Sequence, residues 1–155
     1  MTPSLLTELR QRKPFSSLEQ EASLSVARTA ALLEHGSAEA LKPYGLTPTQ
    51  YNALRILRGA EPEGLCRNEV RDRLIARVPD ATRLLERLEE MELVVRAREG
   101  DDRRYVRARI TGAGLELLAT LDPVILELHR RQLGHLGERK LRALVELLAE
   151  ARDRT

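Results

Sequence analysis

Between Leu84 and Gly114 the spacing of apolar residues changes twice. Leu84, Leu85, Leu88 and Met91 form one apolar stripe at helical spacing, with Thr82, Arg83, Glu86, Arg87 and Glu90 left for the opposite side. From Leu93 to Arg98, and again from Arg103 to Ile110, the pattern alternates as in a half-buried strand, and Glu99-Gly100-Asp101-Asp102 between them reads as a turn. Thr111 then stands where it can cap a following helix. The product is a helix, a two-stranded hairpin and another helix in direct succession.

Upstream, Ser16-Ser17-Leu18-Glu19 has capping-box spacing, as does Ser17 with Gln20. Leu18, Ala22, Val26, Ala30 and Leu33 continue as a helix that should end near His35-Gly36, while residues 1–13 look poorly anchored. Lys42-Pro43-Tyr44-Gly45 is a turn. Thr47 as cap, Pro48 at the first helical position and Gln50 completing the box start a helix with an apolar side of Tyr51, Ala53, Leu54 and Leu57, stopped by Gly59. A short helix spans about Arg67 to Ile75, and Pro79 with Asp80 opens the next. After the hairpin come helices from Gly114 to about Leu133 and from Glu138 to about Arg152, with Asp122-Pro123 expected to kink or break the first. Leu141, Leu144, Val145 and Leu148 mark one face of the second.

This order predicts a mainly α fold with a small β wing: one domain over 1–155, with a winged helix-turn-helix DNA-binding lobe at about 47–110. The flanking segments, about 5–42 and 112–153, are more apolar than one small domain needs and are expected to be dimerisation helices.

Composition narrows the class. A 155-residue chain with 42% hydrophobic and 32% charged residues is globular rather than disordered. No apolar run is long enough to span a bilayer, and Met1-Thr2-Pro3-Ser4-Leu5 lacks the blocks of a signal peptide, so a cytoplasmic protein without membrane partner is expected. One cysteine, Cys66, excludes a disulfide framework and a Cys-rich zinc site. His35, His129 and His135 lack metal-ligand spacing, so neither metal nor cofactor is expected. Gly-rich phosphate loops, nucleophile elbows and His-Glu-x-x-His motifs are absent, which argues against an enzyme. Net charge is only +2, but six arginines fall between Arg96 and Arg109, after an acidic run of Glu86, Glu89, Glu90 and Glu92. Such clustering suits a partner with focused negative charge, or else an ordinary solvated surface. Aromatics at 3% are too few for single-strand stacking platforms, which favours duplex DNA.

The segment Asp102-Arg103-Arg104-Tyr105-Val106-Arg107-Ala108-Arg109-Ile110-Thr111-Gly112-Ala113-Gly114 resembles the wing and following helix start of the MarR (multiple antibiotic resistance regulator) family of transcriptional regulators. Thr82-Arg83-Leu84-Leu85-Glu86-Arg87-Leu88 is similar to its recognition helix, and Leu46-Thr47-Pro48-Thr49-Gln50-Tyr51 to the start of its second helix. The resemblance runs from about residue 16 to 152. One departure is Glu92, where the family usually has Gly before the first wing strand. The reactive first-helix Cys of the peroxide-sensing branch and the first-helix Trp of the urate-responsive branch are both missing.

Among single residues, Arg83 is the first candidate for DNA contact, either bidentate to guanine or on phosphate. Asp80, Ala81, Thr82 and Arg87 share its region: Thr82 for a thymine methyl or phosphate, Asp80 as a cap, Arg87 for phosphate or for pairing with Glu90 or Glu86. The resemblance implies that Arg104 enters the minor groove braced by Asp102, with Arg103 beside it on phosphate, and a narrow minor groove does attract arginine. Arg98, Arg107, Arg67 and Asn68 are further phosphate candidates. Cys66 is either a small inert residue or, given a lowered pKa and a partner, a redox switch. The resemblance further implies a pocket for small aromatic or phenolic anions between lobe and dimerisation helices, with Arg28, His35 and Tyr51 as possible lining.

The reading is a homodimeric, sequence-specific double-stranded DNA-binding transcriptional regulator, a repressor on an approximately palindromic operator released by such an effector. The alternative is a winged-helix protein-interaction module without specific DNA binding.

Overall fold

The computed structural model describes residues 4–98 and 106–153. Helices α1 (Leu5–Glu8), α2 (Leu18–Leu41) and α3 (Pro48–Arg58) lead to a short strand β1 (Leu65–Cys66) and helices α4 (Arg67–Arg73) and α5 (Thr82–Glu90). Strands β2 (Val94–Arg98) and β3 (Val106–Ile110) follow, then the long helices α6 (Gly112–Leu133) and α7 (Gly137–Arg152). The start signals act as expected. Ser17 accepts the Gln20 N–H, Thr47 and Gln50 form a reciprocal capping box, and Thr111 accepts the Gly114 N–H. The antiparallel sheet has the order β1-β3-β2, with Val94 opposite Ile110 and Arg98 opposite Val106. Together these elements make a winged helix.

Leu54, Leu57, Val70, Leu88, Val94, Leu118 and Leu121 are fully buried and join α3, α4, α5, the sheet and the first half of α6 into one core. Each such side chain contributes roughly 1.5–3 kcal/mol relative to exposure, enough in sum to fix the lobe. By contrast α7 buries no residue completely.

Several boundaries differ from the sequence reading, each for a local reason. Helix α2 does not stop at Gly36 but runs on to Leu41. There Gly36 serves close helix packing: Gln132 of α6 donates to the Leu33 carbonyl at 3.2 Å, and a Cβ on Gly36 would collide with the same Gln132 amide. Residues 5–8, expected to be loose, form a single turn capped by Ser4. Helix α5 starts at Thr82, three residues after Pro79, because the Asp80 carboxylate takes the Thr82 N–H (3.1 Å) and holds the preceding residues in a turn. Helix α4 ends at Arg73, and the Ile75 N–H donates instead to the Asn52 side chain at 2.9 Å. Pro123 lies inside α6 without breaking it, since Leu118, Leu121, Ile125 and Leu128 pin both sides of it to buried surroundings. Strand β1 was not expected, since two residues carry no alternation. It can reach β3 because Gly64, at φ 72°, brings its backbone so close that a Cβ would lie 2.5 Å from the Ala108 carbonyl oxygen.

The junction from α5 to β2 explains the departure at Glu92. Glu92 takes φ 61°, with its N–H on the Glu89 carbonyl (2.9 Å) and the Leu93 N–H on the Leu88 carbonyl (3.0 Å). That is the Schellman pattern, whose left-handed position glycine ordinarily fills. Here the ending is secured from outside by Thr111, whose hydroxyl donates to the Glu92 carbonyl at 2.8 Å and whose N–H donates to the Leu93 carbonyl at 3.0 Å.

Candidate nucleic-acid interface

The α5 helix presents two unlike sides. Leu85 and Leu88 are buried, while Arg83, Glu86, Arg87 and Glu90 are exposed. Ala81, at the helix start, is buried. The Thr82 hydroxyl donates to Asp80 (2.8 Å) and accepts from Arg67 Nη1 (3.4 Å). This chain of contacts ties the start of α4 to the start of α5. It also holds the Asp80 carboxyl below the usual carboxylate range, first through the Thr82 hydroxyl and then through the Thr82 N–H. Asp80 therefore acts as a local brace, ionised throughout the neutral range. Arg83 projects from the first turn with no hydrogen-bond or ion-pair partner among the described residues. Arg87 pairs with Glu90 at 2.9 Å.

Arg67 and Asn68 are exposed at the start of α4 and line, with Cys66, Thr82, Leu85 and Arg96, a cleft of about 510 Å³ between the two helices and the wing.

The arginine cluster of the sequence is divided by the structure. Arg96 is held by Glu89, with Glu86 at 3.9 Å, and its Nε is buried without an acceptor among the described residues. Arg107 donates to the Gly64 carbonyl at 3.0 Å and lies 3.9 Å from Glu69. Arg109 donates to the Pro62 carbonyl at 2.9 Å. Arg98 is exposed at the end of β2, without a partner among the described residues. Asp102, Arg103 and Arg104, the wing residues singled out by the sequence, lie outside the described residues. So the acidic run before the wing, read from sequence as a separate block, is partly the counter-charge of Arg96. That pairing joins residues seven apart across a helix end and has no fixed sequence spacing.

Cys66 is free and half-buried, and its N–H donates to Glu69 at 2.8 Å. Glu69 is held below the usual carboxylate range, chiefly by that N–H and then by the Cys66 side chain. Of the effector candidates, Arg28 is exposed on α2, 4.0 Å from Glu8, and His35 is exposed farther along the same helix. Tyr51 is half-buried on α3, with the Arg55 guanidinium 6.0 Å from its ring centre. No hydrogen bond or ion pair joins these three among the described residues. His129 and His135 are exposed. Among the described residues no cluster of three or more His, Cys, Asp or Glu is placed to hold a metal, and no helix is long and apolar enough to cross a membrane.

Helices α4 and α5 followed by the β2–β3 pair, with Arg67 and Arg83 exposed at the helix starts, form a winged helix-turn-helix, the architecture of DNA-binding proteins. Residues 44–104 match the family model described as the MarR family. A MarR transcription factor from Planctomyces limnophilus is 40% identical, over 88% of this chain and 98% of that one, with a TM-score of 0.69. The HTH-type transcriptional regulator YkoM of Bacillus subtilis is 26% identical over 90% of this chain and 92% of its own length. The fold is also that of Sco3205, a MarR family regulator from Streptomyces coelicolor solved in complex with DNA, at TM-score 0.78 and 22% identity over 92% of this chain and 91% of that one. The chain belongs to the MarR family.

Proposed function

We propose that this regulator is a repressor that binds an approximately palindromic operator as a homodimer and is released by a small aromatic or phenolic molecule. The observation that carries the DNA-reading part is Arg83, a guanidinium without a partner among the described residues, in the first turn of a helix whose other side is fixed in the core. A guanidinium so placed can bond guanine O6 and N7 together. Thr82, Arg87, Arg67 and Asn68 surround it as candidates for phosphate and base contact, with Asp80 as brace and Ala81 as the small residue that seats the helix start. In the wing, Arg104 braced by Asp102 is the minor-groove candidate, with Arg103 and Arg98 on phosphate. Arg107 is a weaker candidate, because it is already engaged by Gly64 and Glu69.

The dimer is supported by apolar side chains left outside the core: Leu18, Val26 and Leu32 on α2, Leu126 on α6, and Val145 and Leu147 on α7. Two lobes related by a two-fold axis would set their α5 helices one DNA turn apart, roughly 34 Å. An effector releases DNA only if it binds better to a form with another lobe spacing. Arg28, His35 and Tyr51 are the proposed lining.

The test is fluorescence anisotropy on duplex from upstream of the protein's own gene and on a scrambled duplex, over a salt series. Tight binding to the native duplex alone, weakening steeply with salt, is expected. Equal binding to both duplexes would reduce the function to non-specific binding. A folded dimer that binds neither, while capturing a protein partner through the same face, would favour the interaction-module reading.

A further inference from the structure

Beyond its first residue, β2 has little apolar anchorage. In β2 only Val94 is buried, and Val95, Ala97 and Arg98 are exposed. β2 is also an edge strand, paired among the described residues only with β3, so alternate backbone N–H groups along its outer side have no strand partner there. One of them, the Arg96 N–H, donates to Glu89 Oε2 at 2.9 Å. The other oxygen of the same carboxylate accepts from Arg96 Nη2 at 3.1 Å. Glu89 lies on α5, one residue past the buried Leu88. A single carboxylate thus grips both the backbone and the side chain of one wing residue from the helix that carries Arg83.

We propose that Glu89 is a positioning residue for DNA recognition: it locks the wing to α5 through Arg96, so that helix and wing meet the duplex as one rigid unit. This rests on the reading that both elements contact DNA. Two bonds to two oxygens constrain direction as well as distance. The pair is partly solvated, with Glu89 and Arg96 side chains 39% and 26% exposed, and such pairs add little to stability. Its consequence is geometric. A wing free to swing would have to be ordered on binding, and that cost falls on the complex needing both groove contacts. Non-specific association through phosphate alone does not need a fixed angle between helix and wing. The contacts with Arg96 also hold the Glu89 carboxyl below its ordinary range, so the grip is charged at neutral pH. Arg96 is correspondingly ion-paired, which makes it part of the scaffold rather than one of the cations offered to DNA.

The test compares wild type, Glu89→Ala and Glu89→Gln in the full-length protein. Gln retains an oxygen for the Arg96 N–H but loses the charge. In Glu89→Ala the Arg96 amide should exchange with solvent about tenfold faster or more, with the Leu85 and Leu88 amides unchanged, because only a local opening is released. Operator affinity should fall about tenfold while binding to random duplex stays within about twofold, the cost of ordering one wing. Glu89→Gln should recover part of both effects. Unchanged Arg96 exchange in Glu89→Ala overturns the clamp. Equal loss on both duplexes, or loss shared by the Leu85 and Leu88 amides, overturns the positioning role in favour of general destabilisation. If wild type binds no duplex, the DNA-reading function fails and Glu89's role in it fails too, whereas the exchange experiment still decides the clamp.

Discussion

In the lobe, Leu54, Leu57 and Leu88 are fully buried, whereas in α7 Val145 and Leu147 remain 66% and 63% exposed. Both regions are leucine-rich helices of similar sequence character. The lobe helices close on each other and on a sheet, so their apolar sides find partners within the chain. Helix α7 follows α6 after one short 3-10 turn at Gly134–Leu136, and among the described residues no second layer buries any of its side chains completely. Helical period reports that a face is apolar but not whether the same chain or another one covers it. The lobe is thus self-sufficient in its core, and the flanking helices carry apolar surface in need of a partner, which the proposed dimer supplies.

The largest effect should come from charging that surface. Val145→Asp with Leu147→Asp is expected to abolish the dimer, as read by sedimentation velocity, while the lobe keeps its fold. A dimer that persists would mean that α7 lies outside the interface and would undo the contrast. Next, Leu88→Ala should cost about 2–5 kcal/mol in denaturant unfolding without changing subunit exchange, as expected for a core leucine. Third, Arg83→Ala should weaken operator binding by about 1–3 kcal/mol and relax preference at one base pair per half-site. A uniform loss on every sequence would reassign Arg83 to phosphate.

Two smaller effects sit where the regions join. Arg58 of α3 donates twice to Asp122 of α6, at 2.8 and 3.0 Å, and these bonds hold the Asp122 carboxyl below its ordinary 3.8. A carboxylate lowered in the folded state stabilises fully above its unfolded pKa, and that contribution is lost as pH falls through the folded value. Stability should therefore decline below about pH 4, and Arg58→Ala should flatten that decline in acid titrations followed by circular dichroism. The exposure of both groups keeps the neutral-pH cost of Arg58→Ala to about 1 kcal/mol or less. Smallest, Glu92→Gly should raise stability by about 0.5–1 kcal/mol in thermal unfolding, relief of left-handed strain offset by the freedom glycine gains in the unfolded chain. A destabilised Glu92→Gly would show that Thr111 already removes the strain.

Much of the lobe was legible in the sequence. The capping box at Thr47, the stripe of α5 and the alternation of β2 and β3 each use signals a few residues long. The same holds for the division of α5 into a buried side and a side carrying Arg83 and Arg87. Less legible were Gly36, read as a stop because a glycine there looks the same whether it ends a helix or admits a neighbour, and β1, too short for any period. The wing arginines were legible as a cluster but not as individuals. Arg96, Arg107 and Arg109 look alike in the chain, yet Arg96 is held from α5, and Arg107 and Arg109 by carbonyls of the loop before β1.

Helix starts, the strand alternation and the family resemblance follow from residues near one another in the chain, because capping and period act over one or two turns. Which cations remain for a partner was decided only in three dimensions. Glu89 reaches Arg96 across a helix end, Gly64 meets Arg107 across a sheet edge, and Arg58 meets Asp122 from 64 residues away. A charge is available to DNA only when folding has brought no acceptor to it, and no local pattern records where a distant carboxylate or carbonyl will come to rest.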